Sequence, residues 1–353
     1  MSLTKTAIIG CGTIGTSAHM PGYKAASDIA EIKYFVDILP DRAQKLRDDY
    51  GKGEALTDYR DILSDPELKC VSVCTPNYSH APITIDLLKA GKHVLCEKPA
   101  AVNAKIAADM QRAADESGSI LNIGVCNRFN TAVCKLERLI ASGELGGIYH
   151  IVCNFRAYRS IPGMGGPFTT KSMAGGGVLI DWGVHYLDLI LYCAQDPIVK
   201  AASAATYAKL GANMKDYVFT GMWAGPPDYS GVNDVEEFVT GLVRTDGPTI
   251  SLNGAWAQNI GESDTYIDFL GDKGGARLKY GGDFTLYGTR DGMLTETKYQ
   301  FTKENMYDEE IRDFILKSKD GVKTKANIDQ AIKTSRLMDM LYESAALGRE
   351  VTA

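Results

Sequence analysis

The glycines near the N-terminus constrain the fold more than any other feature of this chain. An apolar run from Thr6 to Ile9 continues directly into Gly10-Cys11-Gly12-Thr13-Ile14-Gly15, a Gly-x-Gly-x-x-Gly pattern. In this pattern the first glycine permits a tight turn, the second lets the backbone approach a pyrophosphate, and the third lets the following helix pack close to the strand. The helix N-terminus offers N–H groups and a positive dipole end to the anion. The pattern predicts a dinucleotide site, and a strand–turn–helix without a ligand is the competing interpretation.

An acidic residue after the second apolar run supports the dinucleotide site. The run Ile32–Val36 is followed by Asp37, which lies 22 residues after Gly15. A carboxylate there accepts hydrogen bonds from the adenosine ribose hydroxyls of NAD and repels the 2′-phosphate of NADP. Ile38 follows directly, and Arg42 is expected on the exposed face of the next helix. The sequence therefore predicts NAD as the cofactor in preference to NADP.

Length, charge and cysteine usage narrow the class of protein. A chain of 353 residues is long for one hydrophobic core, which predicts two domains. The net charge of −6 argues against nucleic acid or an anionic membrane as a partner, and no run approaches the roughly 20 apolar residues of a membrane helix. The first strand begins too early for a signal peptide, and none of the eight cysteines forms a Cys-x-x-Cys pair. These features predict a cytoplasmic protein with reduced thiols and no metal site.

The pattern of apolar runs changes along the chain. Up to about residue 125, six short apolar runs alternate with helical segments, which is typical of a doubly wound parallel sheet. The helical segments include Pro40–Tyr50, Ala81–Ala90 and Ala104–Ser117. From about Ile148 strand-like runs predominate, with a helix at Val178–Cys193 and two more at about Asn305–Ser318 and Ile328–Leu347. We therefore expect an α/β protein with an NAD-binding Rossmann domain over residues 1–125. The remainder, residues 126–353, is expected to form an α/β domain for substrate binding and oligomerisation, with a large, mostly antiparallel open sheet.

One long connection stands out in the predicted second domain. Residues 209–233 contain glycine, proline and four aromatic residues without clear periodicity. A loop of that length is often functional or lies at an interface.

Residues after the fourth apolar run are predicted to face the cofactor. The run ends at Cys74, Thr75-Pro76-Asn77 follow, and His80 falls in the first turn of the next helix. Ligands of a doubly wound sheet lie outside the carboxyl ends of its strands, so Thr75, Pro76, Asn77 and His80 are candidate cofactor-binding residues. Two alternatives stay open: Asn77 caps the next helix, and His80 is a partly exposed histidine.

A lysine after the fifth apolar run is a candidate catalytic residue. The run ends in Cys96-Glu97-Lys98-Pro99, at the same predicted edge of the sheet. Proline restricts the residue before it, so Lys98 is held stiffly. An ammonium group there stabilises a substrate hydroxyl as it becomes an alkoxide during hydride removal. The alternative is a surface salt bridge between Glu97 and a lysine or arginine.

A second candidate group lies in the predicted helix that follows Gly175-Gly176-Gly177. Asp181 and His185 are four residues apart and therefore share one face of that helix. A carboxylate beside an imidazole orients the ring and raises its basicity, which gives a general base near neutral pH. A helix cap together with a core histidine is the alternative, and no third ligand at suitable spacing supports a metal site.

Three motifs together resemble one family. The Gly10–Gly15 fingerprint, Cys96-Glu97-Lys98-Pro99 and the segment from Gly175 to His185 are similar to those of the Gfo/Idh/MocA oxidoreductases, the family of glucose–fructose oxidoreductase and inositol dehydrogenase. Asn127-Arg128-Phe129 and Gly143-Glu144-Leu145-Gly146 also resemble it, and the resemblance spans nearly the whole chain. It implies an N-terminal Rossmann domain and a C-terminal α/β domain whose open sheet often forms a homodimer or homotetramer interface.

The resemblance also implies an activity and roles for single residues. Hydride would pass between NAD and a secondary alcohol of a sugar, polyol or related compound. Lys98, Asp181 and His185 would act together on the substrate carbinol: His185 takes the hydroxyl proton, Asp181 orients His185, and Lys98 stabilises the alkoxide. Glu97 and Lys98 would also border the nicotinamide and its ribose, and Asn127 would join the residues that bind the cofactor.

Substrate contacts and two other activities stay open. Arg156 and Tyr158 alternate onto one side of a strand, where they either bind a hydroxyl-rich ligand or a carboxylate, or lie in a subunit interface. The same site is compatible with a redox-neutral glycosidase that oxidises a sugar and reduces it again. The fold alone is compatible with a non-catalytic regulator that senses NAD. The presence of Lys98, Asp181 and His185 together argues against the regulator.

Overall fold

The computed structural model describes residues 2–353, which form two compact units. The first unit runs up to Phe129 and includes Glu304–Lys333, and the second contains Asn130–Lys303 and Thr334–Ala353. This division differs from the predicted boundary between residues 125 and 126, because a segment near the C-terminus returns to complete the first unit.

The first unit is built on a six-stranded parallel sheet. Its strands are β1 (Thr4–Ile9), β2 (Ala30–Val36), β3 (Glu54–Leu56), β4 (Leu68–Val73), β5 (His93–Glu97) and β6 (Leu121–Gly124). Four of the five connections contain an α-helix, α1 (Met20–Ala25), α2 (Pro40–Tyr50), α3 (Asn77–Lys89) or α4 (Ala104–Ser117), and the β3–β4 connection contains the 3-10 turn Tyr59–Ile62. The strand order is β3-β2-β1-β4-β5-β6, so the order reverses between β1 and β4. The predicted doubly wound Rossmann sheet is therefore confirmed.

Local sequence explains the helices and the central strand of this unit. Ala7 and Ile8 of β1 are fully buried and Ile9 nearly so, since a central parallel strand meets helices on both faces. Helix α4 begins where the Asn103 side chain accepts a hydrogen bond from the N–H of Ile106, which satisfies one of the free donors of the first turn. A short π-helical turn, Gly15–His19, lies between the glycine pattern and α1.

The second unit is built on a nine-stranded, mostly antiparallel sheet. Its strands are β7 (Ile148–Arg156), β8 (Val199–Tyr207), β9 (Phe238–Thr245), β10 (Thr249–Ala255), β11 (Asp264–Gly271), β12 (Gly274–Lys279), β13 (Phe284–Arg290), β14 (Met293–Lys298) and β15 (Val351–Thr352). They follow the order β14-β13-β12-β11-β7-β10-β9-β8-β15, in which only the β7–β10 pair is parallel among the described residues. The predicted large, mostly antiparallel sheet is confirmed.

One face of the large sheet carries the core of the second unit. Side chains that alternate along β7, such as Ile151, Cys153 and Phe155, are fully buried in a cluster with residues of helices α5 (Thr131–Ala141) and α7 (Val184–Cys193). The short helix α6 (Lys171–Ala174) also lies in this unit. The other face of the sheet is less buried. In β9, β10 and β11 the positions that alternate with the core residues carry half-buried side chains, among them Thr240, Leu242, Asn253 and Asp268. The connection over residues 209–233 contains a short 3-10 turn, Met214–Asp216.

The returning segment builds helix α8 (Met306–Asp320) into the first unit, and α9 (Ile328–Leu347) begins there and ends in the second. A Cβ on Gly22 of α1 would lie 2.5 Å from Cδ1 of Ile311 in α8, so the two helices touch closely. Ile311 and Phe314 are buried in the same cluster as residues of β1 and β2. The N–H of Ile123 in β6 donates to the carbonyl of Ala326 at 2.8 Å, which covers the edge of the sheet.

Two properties of the described residues bear on the sequence expectations. No helix within residues 2–353 is long and apolar enough to cross a membrane. The eight cysteines all lie in this part of the chain, seven of them buried, and none is in a disulfide.

Candidate active site

The glycine pattern forms an open cradle after β1. Gly10 has a φ of +94°, and a Cβ there would lie 2.5 Å from the carbonyl oxygen of Cys74, while a Cβ on Gly15 would lie 2.3 Å from the carbonyl oxygen of Gly10. Beside Gly12, in contrast, only Nη1 of Arg42 comes within 4 Å, at 3.9 Å. The backbone itself requires Gly10 and Gly15, whereas the space next to Gly12 is open. These residues, with Cys11, Thr13 and Ile14 in the same turn, fit a dinucleotide pyrophosphate.

Asp37 links the glycine loop to the end of β2. Its Oδ2 accepts a hydrogen bond from the N–H of Cys11 at 2.8 Å, and its Oδ1 accepts one from the N–H of Leu39 at 2.9 Å. Each carboxylate oxygen keeps a second lone pair for a ribose hydroxyl. Arg42 is exposed in α2, as predicted, but its guanidinium turns back towards Gly12. A cation therefore lies next to the glycine loop, which Asp37 also contacts through Cys11.

His80 differs from the sequence expectation. Its ring is buried, with Nδ1 at 2.8 Å from the carbonyl oxygen of Pro99 and Nε2 at 2.7 Å from that of Thr75. Both ring nitrogens are engaged by backbone carbonyls, so neither is left to contact a cofactor, and the ring is not partly exposed. Burial lowers the pKa of His80 although both carbonyls favour the charged ring. His80 thus joins the loops that follow β4 and β5.

The residues around His80 begin α3 in an unexpected way. Pro76, not Asn77, occupies the capping position, and Asn77 is the first residue of the helix. The hydroxyl of Ser79 donates to the Pro76 carbonyl at 2.7 Å and lies 2.8 Å from the Thr75 hydroxyl, from which it can accept. Asn127, the remaining predicted cofactor residue, is buried in the 3-10 turn Cys126–Phe129 after β6.

Glu97, the last residue of β5, is a buried carboxylate and not part of a surface salt bridge. Its Oε1 lies 2.9 Å from Nε2 of His19, and its Oε2 accepts the backbone N–H of Lys98 at 3.1 Å. Burial alone raises the pKa of Glu97, but the hydrogen bond with His19 and the nearby Lys98 charge outweigh it and hold the pKa below its usual range. Lys98 is half-buried and is joined to Pro99 by a cis peptide bond.

Sequence reasoning did not identify His19. It is fully buried four residues after Gly15, at the end of the π-helical turn. The signal available in the sequence was a histidine this close to a dinucleotide fingerprint. A histidine that is buried there requires polar partners for both of its ring nitrogens.

In the second unit, Asp181 and His185 lie on one continuous helical segment. Asp181 is buried in the π-helical turn Leu179–Gly183, and His185 is half-buried at the start of α7. The His185 ring meets the ring of Tyr280 edge-on, with centroids 6.3 Å apart, and Tyr280 stacks on Tyr186. The four-residue spacing in a helix supports a carboxylate–imidazole pair on one face.

Two residues distant in sequence hold the start of this helical segment. The carboxylate of Glu236 accepts hydrogen bonds from the N–H groups of Gly177 at 3.0 Å and Leu179 at 3.1 Å, and from the Tyr342 hydroxyl at 2.8 Å. A Cβ on Gly176 would lie 2.1 Å from the Tyr342 oxygen, and a Cβ on Gly177 would lie 1.9 Å from the Glu236 carbonyl oxygen. The glycines before Asp181 are therefore required by this contact. Burial raises the pKa of Glu236 despite these donors.

Arg156 is the last residue of β7, and Tyr158 follows two residues later. Arg156 lines a groove of about 490 Å³ together with Tyr207, Lys209, Phe238 and Gln258. Tyr158 is 40% exposed, and the Arg159 guanidinium lies 4.6 Å from the centre of its ring. The groove and the exposed ring leave both predicted alternatives, ligand binding and a subunit interface, open.

The structure groups the predicted residues in two sets. The glycine loop, Asp37, the Thr75 loop and Glu97 with Lys98 lie at the carboxyl ends of β1, β2, β4 and β5. Asp181 and His185 belong to the second unit. Across residues 2–353 no group of three or more histidine, cysteine, aspartate or glutamate side chains is arranged to hold a metal ion.

Comparison with protein families gives two matches. Residues 4–125 match the Gfo/Idh/MocA family model described as an oxidoreductase family with an NAD-binding Rossmann fold. Residues 133–277 match the model of the Gfo/Idh/MocA C-terminal domain.

Individual relatives and solved structures extend over the whole chain. The chain is 32% identical over 352 residues to the D-glucoside 3-dehydrogenase of Escherichia coli (strain K12), an alignment of 98% of this chain and 97% of the relative. It is 29% identical to the putative UDP-kanosamine synthase oxidoreductase subunit of Amycolatopsis mediterranei (strain S699), with 98% and 97% covered. The fold is similar to that of levoglucosan dehydrogenase in complex with NADH, with a TM-score of 0.84, 20% identity and 99% of each chain covered.

Proposed function

The chain belongs to the Gfo/Idh/MocA oxidoreductase family, and from this premise we propose that it is a dehydrogenase that transfers a hydride between a secondary alcohol of a sugar, polyol or related compound and NAD. The observation that carries the proposal is the position of Lys98. It follows β5 directly at the carboxyl edge of the dinucleotide-binding sheet, next to a buried, ionised Glu97. A cation there is suited to an oxygen that becomes negatively charged during the reaction.

In the proposed mechanism, His185 takes the proton of the substrate hydroxyl. Asp181, one helical turn earlier, orients the imidazole and stabilises the imidazolium that forms. Glu236 and Tyr342 keep the start of this helical segment in place through the hydrogen bonds to Gly177 and Leu179. The fixed helix start supports a defined orientation for both side chains.

Lys98 stabilises the substrate oxygen as it becomes an alkoxide. The glycine loop and Asp37 would hold the pyrophosphate and the adenosine ribose of the cofactor. The nicotinamide, when bound, supplies the hydride acceptor. General base action and charge stabilisation each contribute about 10² or more to the rate in enzymes.

A substrate screen tests the proposal. The purified protein is incubated with NAD+ or NADP+ and inositols, aldoses, glycosides, uronates and amino-sugars, and reduced nucleotide is followed by its absorbance. We expect reduction of NAD+ by a subset of these alcohols. Cleavage of a glycoside without net NADH would replace the proposal by a redox-neutral glycosidase, and nucleotide binding without any turnover would favour a regulator.

Variants of Asp37 and Arg42 test the cofactor preference. We propose NAD because the Asp37 carboxylate repels a 2′-phosphate. Replacing it by serine removes that repulsion and leaves Arg42 beside Gly12 to attract the phosphate. We expect Asp37→Ser to shift the ratio of kcat/KM for NADP+ over NAD+ upward by about tenfold or more, and Asp37→Ser/Arg42→Ala to lose most of that shift. A wild-type enzyme that prefers NADP+ contradicts the proposal.

We extend the proposal to substrate contacts, assembly and compartment. Arg156 and Tyr158 are the proposed substrate-binding residues of the second unit, in line with their place at the end of β7. The half-buried side chains on the second face of the large sheet support a homodimer or homotetramer that associates through that face. The eight cysteines, kept as thiols, support a cytoplasmic location.

A further inference from the structure

A chain of four polar side chains runs from the end of β5 into the interior of the first unit. His19 lies 2.9 Å from Glu97 through Nε2 and 3.0 Å from the Ser72 hydroxyl through Nδ1. The hydroxyl of Tyr23 lies 2.9 Å from the same Ser72 oxygen. All four residues are buried. The proposed reaction uses none of His19, Ser72 and Tyr23, so these buried polar groups need another explanation.

The direction of the hydrogen bonds follows from Tyr23. Within residues 2–353, Ser72 Oγ is the hydrogen-bond partner found for its hydroxyl. In a satisfied chain Tyr23 donates to Ser72, Ser72 donates to Nδ1 of His19, and Nε2–H of His19 donates to Glu97. If His19 were protonated, His19 and Tyr23 would both donate to Ser72 Oγ, and the buried Ser72 O–H would be left without an acceptor among residues 2–353. The arrangement therefore favours a neutral imidazole that donates to an ionised Glu97.

The surroundings of Glu97 are shaped for a carboxylate. A Cβ on Gly124, in the neighbouring strand β6, would lie 3.0 Å from the carboxyl carbon of Glu97, so glycine makes the room for it. Burial, together with nearby acids, raises the pKa of the Cys74 and Cys126 thiols, which stay neutral. The charged groups at this edge then include the Glu97 carboxylate and the ammonium of the next residue, Lys98, while the buried Glu310 is a second acid that acts on both thiols.

Glu97 lies in the half of the sheet that takes the nicotinamide. The glycine loop after β1 and Asp37 after β2 mark the adenosine half, and the other half of a doubly wound sheet, β4 to β6, takes the second nucleotide. The nicotinamide ring carries a positive charge in NAD+ and none in NADH. We propose that Tyr23, Ser72 and His19 hold Glu97 as a fixed anion that favours the oxidised ring over the reduced one, so that the enzyme binds NAD+ in preference to NADH and releases NADH readily.

This inference rests on the proposed function, and it makes His19 a positioning residue. Its test is direct nucleotide binding by calorimetry, with NAD+ and NADH titrated separately into the full-length protein. We expect Glu97→Gln to weaken NAD+ relative to NADH by about tenfold, since one charge near the ring is lost. We expect His19→Leu to move the ratio in the same direction, and His19→Gln, whose amide can still donate to Glu97, to restore most of it.

A matched control is a glutamate-to-glutamine substitution at a site away from the proposed nicotinamide position. Glu67 is exposed and precedes β4, at the amino edge of the same sheet, so Glu67→Gln is expected to leave the ratio of the two dissociation constants unchanged. An unchanged ratio in Glu97→Gln, with NAD+ still bound, overturns this inference alone. A wild-type protein that binds neither nucleotide overturns the proposed function as well. Circular dichroism shows whether His19→Leu is folded. If it is not, the binding ratios of Glu97→Gln and His19→Gln test the inference.

Discussion

At the scale of single residues, His185 takes the hydroxyl proton and Lys98 stabilises the negative charge on the substrate oxygen in the proposed reaction. We expect Lys98→Ala and His185→Ala each to lower kcat by about 10² or more while both variants still bind NAD+. Steady-state kinetics and calorimetry measure the two quantities. Lys105→Ala, an exposed lysine at the start of α4, is the matched control. Turnover near the wild-type level in either variant contradicts the assignment.

His80 predicts a pH dependence of stability. Because burial lowers its folded-state pKa below the ordinary value of 6.5, the unfolded chain takes up a proton first as the pH falls. The stability that this residue contributes is present above about pH 6.5 and declines below it. The free energy of unfolding in urea is therefore expected to fall from about pH 7.5 to about pH 5.5, and to fall less in His80→Gln. An equal fall in both proteins rules out His80 as the source.

The residue scale also shows the limit of sequence reasoning. Asp37 was predictable because its spacing from the fingerprint is set by one strand–helix–strand repeat. The partners of His80 and His19 were not, because they come from other loops and strands: Pro99 is 19 residues from His80, and Glu97 is 78 residues from His19. No local pattern encodes such a contact.

At the scale of elements, the glycine loop separates folding from cofactor binding. Gly15→Ala is expected to destabilise the first unit by about 2–4 kcal/mol, because the new Cβ meets the backbone of Gly10. Gly12→Ala meets only Arg42 at van der Waals distance, so its melting temperature is expected to stay near that of the wild type. Its affinity for NAD+ is expected to drop about tenfold or more, since the methyl group occupies the approach of the phosphates.

Circular dichroism and calorimetry measure both effects of these glycine variants. The two variants serve as controls for each other, since both replace glycine by alanine in one turn. Equal losses of stability in the two variants would contradict the conclusion that folding requires Gly15 whereas Gly12 serves cofactor binding.

Elements with strong local signals were predicted to the residue, and others were not. The bounds of α2, α4 and α9 agree with the sequence expectation, because amphipathic spacing and end signals are local. Helix α3 begins at Asn77, four residues before the expected start, since polar residues in its first turn masked the periodicity. The support that Glu236 gives to Leu179 spans 57 residues and has no periodic signature.

At the scale of the whole molecule, the large sheet leads to an assembly prediction. We expect the protein to sediment as a dimer or tetramer, and Leu242→Arg, which puts a charge on the half-buried face of β9, to shift it towards the monomer. Ile38→Arg makes the same kind of change at an 83% exposed site of the first unit and is the control. Analytical ultracentrifugation distinguishes these outcomes. A monomeric wild type contradicts the proposed assembly.

The return of Glu304–Lys333 to the first unit has a consequence for the order of events on the ribosome. Phe129 ends the first stretch of that unit, yet Ile311 and Phe314 of its core, and Ala326 at the edge of β6, are made only after eight of the nine strands of the second unit's sheet. At roughly 5–20 residues per second, translation separates the two stretches by about 10–40 seconds. The nascent NAD-binding half must wait through that interval with its core and sheet edge unfinished, so it is the part of the chain for which chaperone protection during synthesis matters most.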